Sequence, residues 1–263
     1  MGKDGSLRMS MVKISGLTLR HGDRTLIEEI NLSIAPGEIF AIIGASGCGK
    51  STFLRHLMGL KPADAGTIML NGCDINGRDE TERRRARKQF GVLFQGAALW
   101  TTMNLWENVA LPLENFSNFT VEERRDIAAL KLSMVGLAGF ESFFPHELSG
   151  GMLKRAGIAR AMVRNPTILF LDEPSAGLDP ITSRKLDDLI LHIRRSRGVT
   201  FVLVTHELAS IFAIADRVAF FDPDSCSILD VGNPRVLAEK SPHANVRHFF
   251  ARNELQKTMS LVN

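Results

Sequence analysis

The sequence predicts an α/β protein: a mixed sheet flanked by helices, with an antiparallel β layer and an inserted α-helical subdomain. Short apolar runs such as Glu38 to Ile43 and Thr167 to Leu171 have the length of buried strands, and helical segments follow them. Near the N-terminus, Val12 to Leu19 and Glu29 to Ile34 alternate apolar and polar residues, which is typical of an antiparallel layer. From Ala97 to about Asn165 the pattern is helical, with no convincing strand.

Composition excludes several broad classes of protein. The net charge of the 263 residues is +3, too small to argue for a nucleic-acid partner without a basic motif. The longest apolar runs have strand length, so we expect no transmembrane segment, and the N-terminus lacks the apolar core of a secretory signal. Cys48, Cys73 and Cys226 form no C-x-x-C pair and have no histidine at metal-ligand spacing. We therefore expect a cytosolic protein with reduced thiols.

In chain order, four regions are predicted. Residues 1–10 are polar and form a flexible leader. An α/β core covers 11–95 and 166–240, a helical subdomain is inserted at 96–165, and a helical tail covers 241–263. The remaining strands and the last helices are expected at Gly66 to Leu70, Phe90 to Phe94, Val199 to Val204, Arg217 to Phe221, Ser227 to Val231, Pro234 to Lys240 and Ala244 to Leu255.

A glycine-rich loop joins the strand at Glu38 to Ile43 to a helix that starts near Phe53. It matches G-x-x-x-x-G-K-[ST] with the residues Gly44, Ala45, Ser46, Gly47, Cys48, Gly49, Lys50, Ser51 and Thr52. Glycines let backbone N–H groups converge on an anion, and the following helix directs its positive end to the same place. We expect this loop to bind nucleotide phosphates, with Lys50 at the β- and γ-phosphates and Ser51 on Mg²⁺.

Two more strands end in residues suited to phosphate chemistry. Asp172 and Glu173 follow an apolar strand, and such carboxyl ends are where open α/β sheets bind ligands. We expect Asp172 to hold Mg²⁺ through water and Glu173 to activate the attacking water. His206 follows the strand at Val199 to Val204, and we expect it beside the γ-phosphate.

A second anion cradle is predicted at Ser149, Gly150 and Gly151. Ser149 is a good helix N-cap, and the two glycines leave backbone N–H groups uncovered at the start of the next helix. A nucleotide bound at Lys50 needs only one such cradle in its own subunit. The second cradle therefore requires a separate explanation.

Two further segments each allow two interpretations. Both tryptophans fall in Ala97 to Leu113, whose apolar residues Leu99, Trp100, Met103 and Trp106 form either subdomain core or a groove for a partner. Five basic residues cluster on the helix predicted at Asp79 to Lys88: Arg83, Arg84, Arg85, Arg87 and Lys88. They form either a solvated face or a contact with anionic lipid headgroups.

Together these motifs resemble the ATPase subunit of ABC transporters. Six of them occur in the order and spacing of that family, namely Gly44 to Thr52, Gln95, Leu148 to Met152, Ile168 to Glu173, Leu178-Asp179 and His206. The resemblance implies a P-loop NTPase core, ATP and Mg²⁺ as ligands, a contact of Gln95 with the metal, and a contact of Asp179 with the nucleotide. It also explains the second cradle, since in this family the signature of one subunit closes over ATP bound to the other.

Two residues depart from the family pattern. Met152 stands where the signature usually has glutamine, although the phosphate-facing residues of the motif are unchanged. The aromatic residue expected to stack on adenine is His21, whose ring is smaller, and the neighbouring Arg20 could stack through its guanidinium plane instead.

At the subfamily level the sequence is similar to the ATPase of Mla-type lipid transporters. The similar stretches are Gln95 to Leu99, Asn108 to Leu113, Leu148 to Arg155 and Asp179 to Ile181. This resemblance implies a phospholipid cargo, a permease that docks near Trp100, an MCE-domain lipid-binding protein, a small cytoplasmic accessory subunit and a place on the cytoplasmic face of the inner membrane. The alternatives are an importer ATPase for a polar solute, a soluble ABC protein of repair or translation, and a P-loop kinase or GTPase, although no N-K-x-D motif is present.

Overall fold

The structure is a computed structural model that describes residues 10–22, 24–45, 47–114 and 118–251, and only the backbone of His21 and Arg24. The predicted leader, the end of the predicted tail and Ser46 therefore lie outside the described residues, apart from residue 10 of the leader. The described elements are β1 (Val12–His21), β2 (Arg24–Ile34), β3 (Ile39–Gly44), α1 (Lys50–Leu57), β4 (Ala65–Leu70), β5 (Cys73–Asp74), α2 (Glu80–Lys88), β6 (Phe90–Leu93), α3 (Leu105–Glu114), α4 (Val121–Met134), a 3₁₀ turn (Pro145–Glu147), α5 (Gly150–Met162), β7 (Ile168–Asp172), α6 (Pro180–Arg197), β8 (Thr200–Val204), α7 (Leu208–Ile214), β9 (Arg217–Asp222), β10 (Ser227–Gly232), α8 (Pro234–Lys240) and α9 (244–251).

Two sheets carry the strands, as the sequence predicts. The larger sheet has the order β10-β9-β3-β8-β7-β6, in which β10 is antiparallel to β9 and the other neighbours are parallel. The smaller sheet has the order β2-β1-β4-β5 and is antiparallel. The predicted fold class, a mixed sheet flanked by helices with an antiparallel layer, is confirmed.

The first hairpin is longer than the alternating pattern indicates. Strand β1 runs on to His21 and β2 starts at Arg24, five residues before the predicted Glu29. The pairing of the two strands shifts register three times, and Glu29 has a positive φ of 49°. Each irregularity reverses which face a side chain occupies, so the apolar alternation stops although the pairing continues.

Two apolar cores lie on opposite faces of the large sheet. Successive residues of β3 alternate between them, because strand side chains point to opposite faces. Ile39, Ala41 and Ile43 pack with the helices of the insertion, whereas Phe40 and Ile42 pack with α1 and the antiparallel sheet. Burial on both faces explains why this strand is apolar at every position.

All the described regular structure between β6 and β7 is helical. It comprises α3, α4, the 3₁₀ turn and α5, which we call the helical insertion. Helix α4 begins with a capping box in which Thr120 and Glu123 each accept a hydrogen bond from the other's backbone N–H. Among the described helices, none is both long and apolar enough to cross a membrane.

Candidate functional site

The carboxyl ends of four parallel strands bring most of the predicted site residues to one edge of the large sheet. The order β3-β8-β7-β6 is in register, with Ile42 opposite Val204, Asp172 opposite Val204, and Leu93 opposite Leu171. The segments that follow these strands carry the glycine-rich loop, His206, Glu173 and Gln95. They therefore leave the sheet side by side.

The glycine-rich loop is shaped for an anion. Gly44 has φ 145°, and a Cβ there would lie 2.3 Å from the carbonyl oxygen of Phe221, so only glycine fits this turn. Gly49 caps α1 in the left-handed conformation, with no side-chain hydrogen bond to the helix and no acidic residue in its first turn. The N–H groups at the start of α1 are thus left for an external partner, which suits a phosphate.

Lys50 lies over this loop. Its Nζ donates to the carbonyl oxygens of Gly44 at 3.0 Å and Ala45 at 2.7 Å, and the side chain is buried. Cys48 packs into the apolar core beneath, and its Sγ is 3.6 Å from the same ammonium. Cys48 can therefore offer the site its backbone, whereas its thiol is buried.

The proposed metal ligands lie together. The Ser51 hydroxyl of α1 donates to Asp172 Oδ1 at 3.0 Å, across the intervening strand β8. Within the described parts of the chain, no group of three or more His, Cys, Asp or Glu side chains could hold a metal alone. Protein-bound Mg²⁺ often takes only one or two carboxylates and otherwise uses water and substrate phosphates. The Ser51–Asp172 pair fits a Mg²⁺ ion that binds together with a nucleotide.

Glu173 and His206 form a second pair beside it. His206 Nδ1 lies 3.0 Å from Glu173 Oε1, and because an ionised carboxylate only accepts hydrogen bonds, we assign the proton to the ring nitrogen. Glu173 Oε2 is buried without a protein partner. The carboxylate is thus fixed at one oxygen and has an unsatisfied acceptor at the other, as a group that receives a proton from water requires.

The backbone of Glu173 has a conformation that sequence reasoning missed. Its φ is 48°, in the left-handed region that a glutamate rarely adopts. Its N–H donates to the Val204 carbonyl at 2.9 Å, which links it to the neighbouring strand. Strained residues of this kind cluster at functional sites, but no motif signals the strain because it arises from contacts between distant segments.

The backbone of Gln95 is held at the site by a residue that the motifs did not single out, and a contact of its exposed side chain with the metal stays a prediction. The buried Lys154 of α5 donates from Nζ to the carbonyl oxygen of Gln95 and, at 3.1 Å, to that of Glu173. One ammonium therefore holds the two backbones side by side. A lysine at a buried position of an otherwise apolar helix face is the signal that could have identified it.

The second cradle is well formed but faces outward. Ser149 Oγ accepts from the N–H of Met152 at 3.4 Å and caps α5, and both Ser149 and Gly150 are exposed. A Cβ on Gly150 would meet Leu178, and one on Gly151 would lie 2.4 Å from a methyl carbon of Thr182. The cradle therefore lies beside Leu178, which precedes α6, and Thr182, in the first turn of α6.

Asp179 caps helix α6. Its Oδ1 accepts from the N–H groups of Ile181 and Thr182, both at 3.0 Å, and its Oδ2 accepts from the Thr182 hydroxyl at 2.5 Å. These hydrogen bonds, that of the Thr182 hydroxyl foremost, lower the pKa of Asp179. In this structure the carboxylate stabilises the helix, so a nucleotide contact of Asp179 stays a prediction. The side chain of His21 lies outside the described residues, and its adenine contact stays a prediction too.

The tryptophan segment divides between the two interpretations. Trp100 is 59% exposed, whereas Trp106 and Leu99 pack against the core of the helical insertion, and the guanidinium of Arg125 lies 5.9 Å from the Trp106 ring. The buried Asn108 side chain fixes this segment through hydrogen bonds to both backbone groups of Trp100. An adjoining groove of about 400 Å³ is lined by residues that include Phe94, Ala98, Leu111, Pro112 and Arg160.

The basic cluster lies on the exposed helix α2. Glu80 forms ion pairs with Arg83, Arg84 at 3.2 Å and Arg87 at 3.7 Å. Three of the five cations thus share one carboxylate on the same helix, which agrees with a solvated face.

Comparison with known proteins identifies the family. A family model described as ABC transporter matches residues 27–176. The probable ribonucleotide transport ATP-binding protein mkl of Mycobacterium leprae is 41% identical over 219 residues, which cover 83% of this chain and 63% of that protein. The methionine import ATP-binding protein MetN of Rhizobium johnstonii is 41% identical over 212 residues, 81% of this chain and 58% of that protein. The intermembrane phospholipid transport system ATP-binding protein MlaF of Haemophilus influenzae is 35% identical over 210 residues, 80% of each protein.

A solved structure with the same fold carries the products of ATP hydrolysis. It is a dimeric ATP-binding cassette in a post-hydrolysis state with ADP and Pi, 31% identical, with a TM-score of 0.75 over 85% of this chain and 98% of the other. This chain spans less than two thirds of the mkl and MetN relatives that it matches, 63% and 58% of their lengths. The chain belongs to the ABC transporter family.

Proposed function

We propose that this chain is the ATPase subunit of a membrane transporter, in which two copies close around ATP and a bound permease uses that motion to move phospholipid. The observation that carries the ATPase assignment is the adjacency of two pairs, Ser51 with Asp172 and Glu173 with His206, at the end of the glycine-rich loop. The first pair suits a metal–phosphate ligand and the second suits activation of water.

The proposed chemistry divides among these side chains. Lys50 and the loop N–H groups hold the β- and γ-phosphates, and Ser51 and Asp172, with Gln95, hold the metal. When bound, Mg²⁺ neutralises charge on the phosphates. Glu173 accepts the proton of the attacking water at its unpartnered Oε2, while His206 keeps Oε1 in place.

A second copy completes each site. Ser149, Gly150 and Gly151 form an anion cradle whose first two residues are exposed, and a nucleotide at Lys50 already has a cradle. A two-fold dimer brings each signature cradle to the partner's glycine-rich loop and creates two equal sites. The γ-phosphate then lies between two helix N-termini, so ATP joins the subunits and hydrolysis weakens that attraction.

Mixed dimers test this arrangement. When one subunit carries both Lys50→Ala and Ser149→Arg beside a wild-type partner, each composite site contains one defect, and both sites should be inactive. When the two substitutions are on different subunits, both defects fall in one site, and the other site should hydrolyse ATP. Activity in the first dimer with none in the second would contradict the proposal, since that is the pattern of a site built from a single subunit.

The docking surface for the permease is proposed around Trp100. Of the predicted residues Leu99, Trp100, Met103 and Trp106, Trp100 is largely exposed and borders the segment that lines the groove beside Phe94. The proposal rests on this exposed tryptophan together with the adjoining groove, which offer a partner an aromatic side chain and a cleft close to each other. Phe94 and Ala98, which line the groove, lie on either side of Gln95 in the sequence. A partner in the groove would therefore contact the segment that carries Gln95.

Phospholipid is proposed as the cargo on the strength of the Mla-type motifs, together with the similarity to MlaF. An MCE-domain lipid-binding protein and a small accessory subunit would then be further partners, at the cytoplasmic face of the inner membrane. The second candidate is import of a polar solute, because mkl and MetN have the higher identity.

Purification from native membranes separates these candidates. The complex is extracted with the tagged chain, its other subunits are identified by mass spectrometry, and its ATPase activity is measured with phospholipid or with methionine and ribonucleotides. Phospholipid transport requires an MCE-domain protein in the complex and stimulation by lipid. Stimulation by a polar solute, with a solute-binding protein in the complex, would establish the importer instead.

A further inference from the structure

We propose that Lys154 is a positioning residue for ATP hydrolysis, because its ammonium joins the main-chain carbonyls of Gln95 and Glu173 and so ties the proposed base to helix α5. The inference rests on the proposed role of Glu173. It adds a residue of the helical insertion to the part of the site within one subunit, where the glycine-rich loop, Glu173 and His206 follow strands of the large sheet.

The geometry of Lys154 joins three segments. The side chain enters from α5, is 6% exposed, and donates to the Gln95 carbonyl after β6 and, at 3.1 Å, to the Glu173 carbonyl after β7. Burial lowers the pKa of Lys154, and the nearby charges of Glu173 and Asp172 oppose that effect. A buried ammonium is retained only where it has such partners, so the two carbonyls and the ammonium hold one another in place.

Glu173 needs this support because its backbone is strained. With φ at 48° the residue adopts a conformation that an unsupported glutamate would leave. Its N–H is held by the Val204 carbonyl at 2.9 Å and its carbonyl by Lys154. These two hydrogen bonds fix the peptide groups on either side of the residue, and hence the direction in which the carboxylate leaves the chain.

Arg160, further along α5, holds the same loop at a second point. Its guanidinium donates to the carbonyl oxygens of Ala97 at 2.7 Å and Ala98 at 2.6 Å. Both alanines have positive φ, 59° and 51°. Residues other than glycine rarely adopt this backbone conformation, so the turn needs support from its surroundings. Helix α5 thus contacts the loop between Gln95 and Trp100 through two cations, Lys154 and Arg160. The same Lys154 ammonium also contacts the Glu173 carbonyl.

Lys131 provides the matched control. It lies on α4 of the same insertion, is 3% exposed, and donates to Asn165 Oδ1 at 2.6 Å. Burial lowers its pKa as well, to about 8. It is thus a buried lysine that satisfies a neighbouring polar group without contact to Gln95 or Glu173. If loss of any buried ammonium group from the helical insertion lowered kcat, substitution of either lysine would lower it equally.

The test compares Lys154→Met with Lys131→Met in the full chain. We measure kcat and KM for ATP by phosphate release, ATP affinity by equilibrium binding, and Tm by thermal unfolding. Because small displacements of a catalytic group cost large factors in rate, kcat should fall about tenfold or more in Lys154→Met, with ATP affinity within about twofold of wild type. Lys131→Met should keep its kcat even if its Tm falls. Should Lys154→Met fail to fold, Lys154→Gln, whose shorter side chain keeps an NH₂ donor group without the charge, is measured in its place, and its kcat should fall in the same direction.

A double substitution decides whether Lys154 acts through Glu173. Once Glu173→Gln has removed the base, adding Lys154→Met should lower the remaining rate far less than it lowers the wild-type rate, because coupled groups are not additive. The inference would be overturned if Lys154→Met lowered the rate by the same factor in wild type and in Glu173→Gln. It would also be overturned if kcat fell equally in the Lys154 and Lys131 variants. An unchanged rate in Glu173→Gln alone would overturn the proposed base itself, and the two failures are thereby distinguished.

Discussion

We expect replacement of Glu173, the proposed base, by glutamine to separate ATP binding from hydrolysis. The amide has nearly the same shape as the carboxylate and can still accept the His206 hydrogen bond, which spans 3.0 Å. What it loses is the basic oxygen at the position of the buried, unpartnered Oε2. A positioned base contributes about 10²-fold or more to a rate, which corresponds to roughly 2.7 kcal/mol of transition-state stabilisation.

The neighbouring Glu207 offers a control for the same chemical change. Its carboxylate lies 3.9 Å from the other ring nitrogen of His206 and is 46% exposed. We expect Glu173→Gln to lower phosphate release by about 10²-fold or more at unchanged ATP affinity, and Glu207→Gln to change it by less than about twofold. Loss of ATP affinity in Glu173→Gln, or an equal fall of kcat in both variants, would refute the assignment of the base.

Three further substitutions probe binding, docking and stability. Lys50→Ala removes the ammonium over the phosphate loop, so ATP affinity measured by calorimetry should fall; unchanged affinity would refute that contact. Trp100→Asp should release the chain from membranes in flotation assays by placing a charge in the proposed interface, while Leu130→Asp, equally exposed on α4, should not. Burial raises the pKa of Asp187 to about 6, so the folded state loses stability as pH rises from about 4 to 6. Asp187→Asn should therefore raise Tm at pH 8 by about 2–4 °C and much less at pH 4, and Asp126→Asn, at an exposed position of α4, should do neither.

The position of the site could be predicted because it depends on where strands end. Gly44, Asp172 and the residues before His206 each follow a buried apolar run, and parallel strands place their carboxyl ends at one edge. The pairing of Ser51 with Asp172 then follows from the fold, although the sequence separates them by more than a hundred residues. Motif spacing works here because the glycine-rich loop, Gln95, Glu173 and His206 each follow a different strand of one sheet.

The remaining features depend on contacts that no local pattern records. The two tryptophans have similar sequence surroundings, yet Trp106 is covered by Arg125 from another helix, and Trp100 is left exposed. Likewise, the positive φ of Glu173 depends on Val204 in a neighbouring strand. Periodicity identifies which residues can be buried, but it does not identify the partner that buries them.

Helix α5 contacts three proposed functional parts of the chain, namely the cradle for the partner's ATP, the proposed base and the loop that leads to the docking surface. Its N-terminus carries Ser149 and the cradle proposed for the partner's ATP, Lys154 in its second turn holds the carbonyl of the proposed base, and Arg160 holds the loop that leads to Trp100. Because a helix is a stiff element, we propose that a movement imposed at one of these points reaches the others. In the proposed closed dimer, the partner's nucleotide would fix α5 and thereby Glu173. A permease that displaces the loop at Trp100 would move the same helix, so hydrolysis would respond both to dimer closure and to the state of the permease.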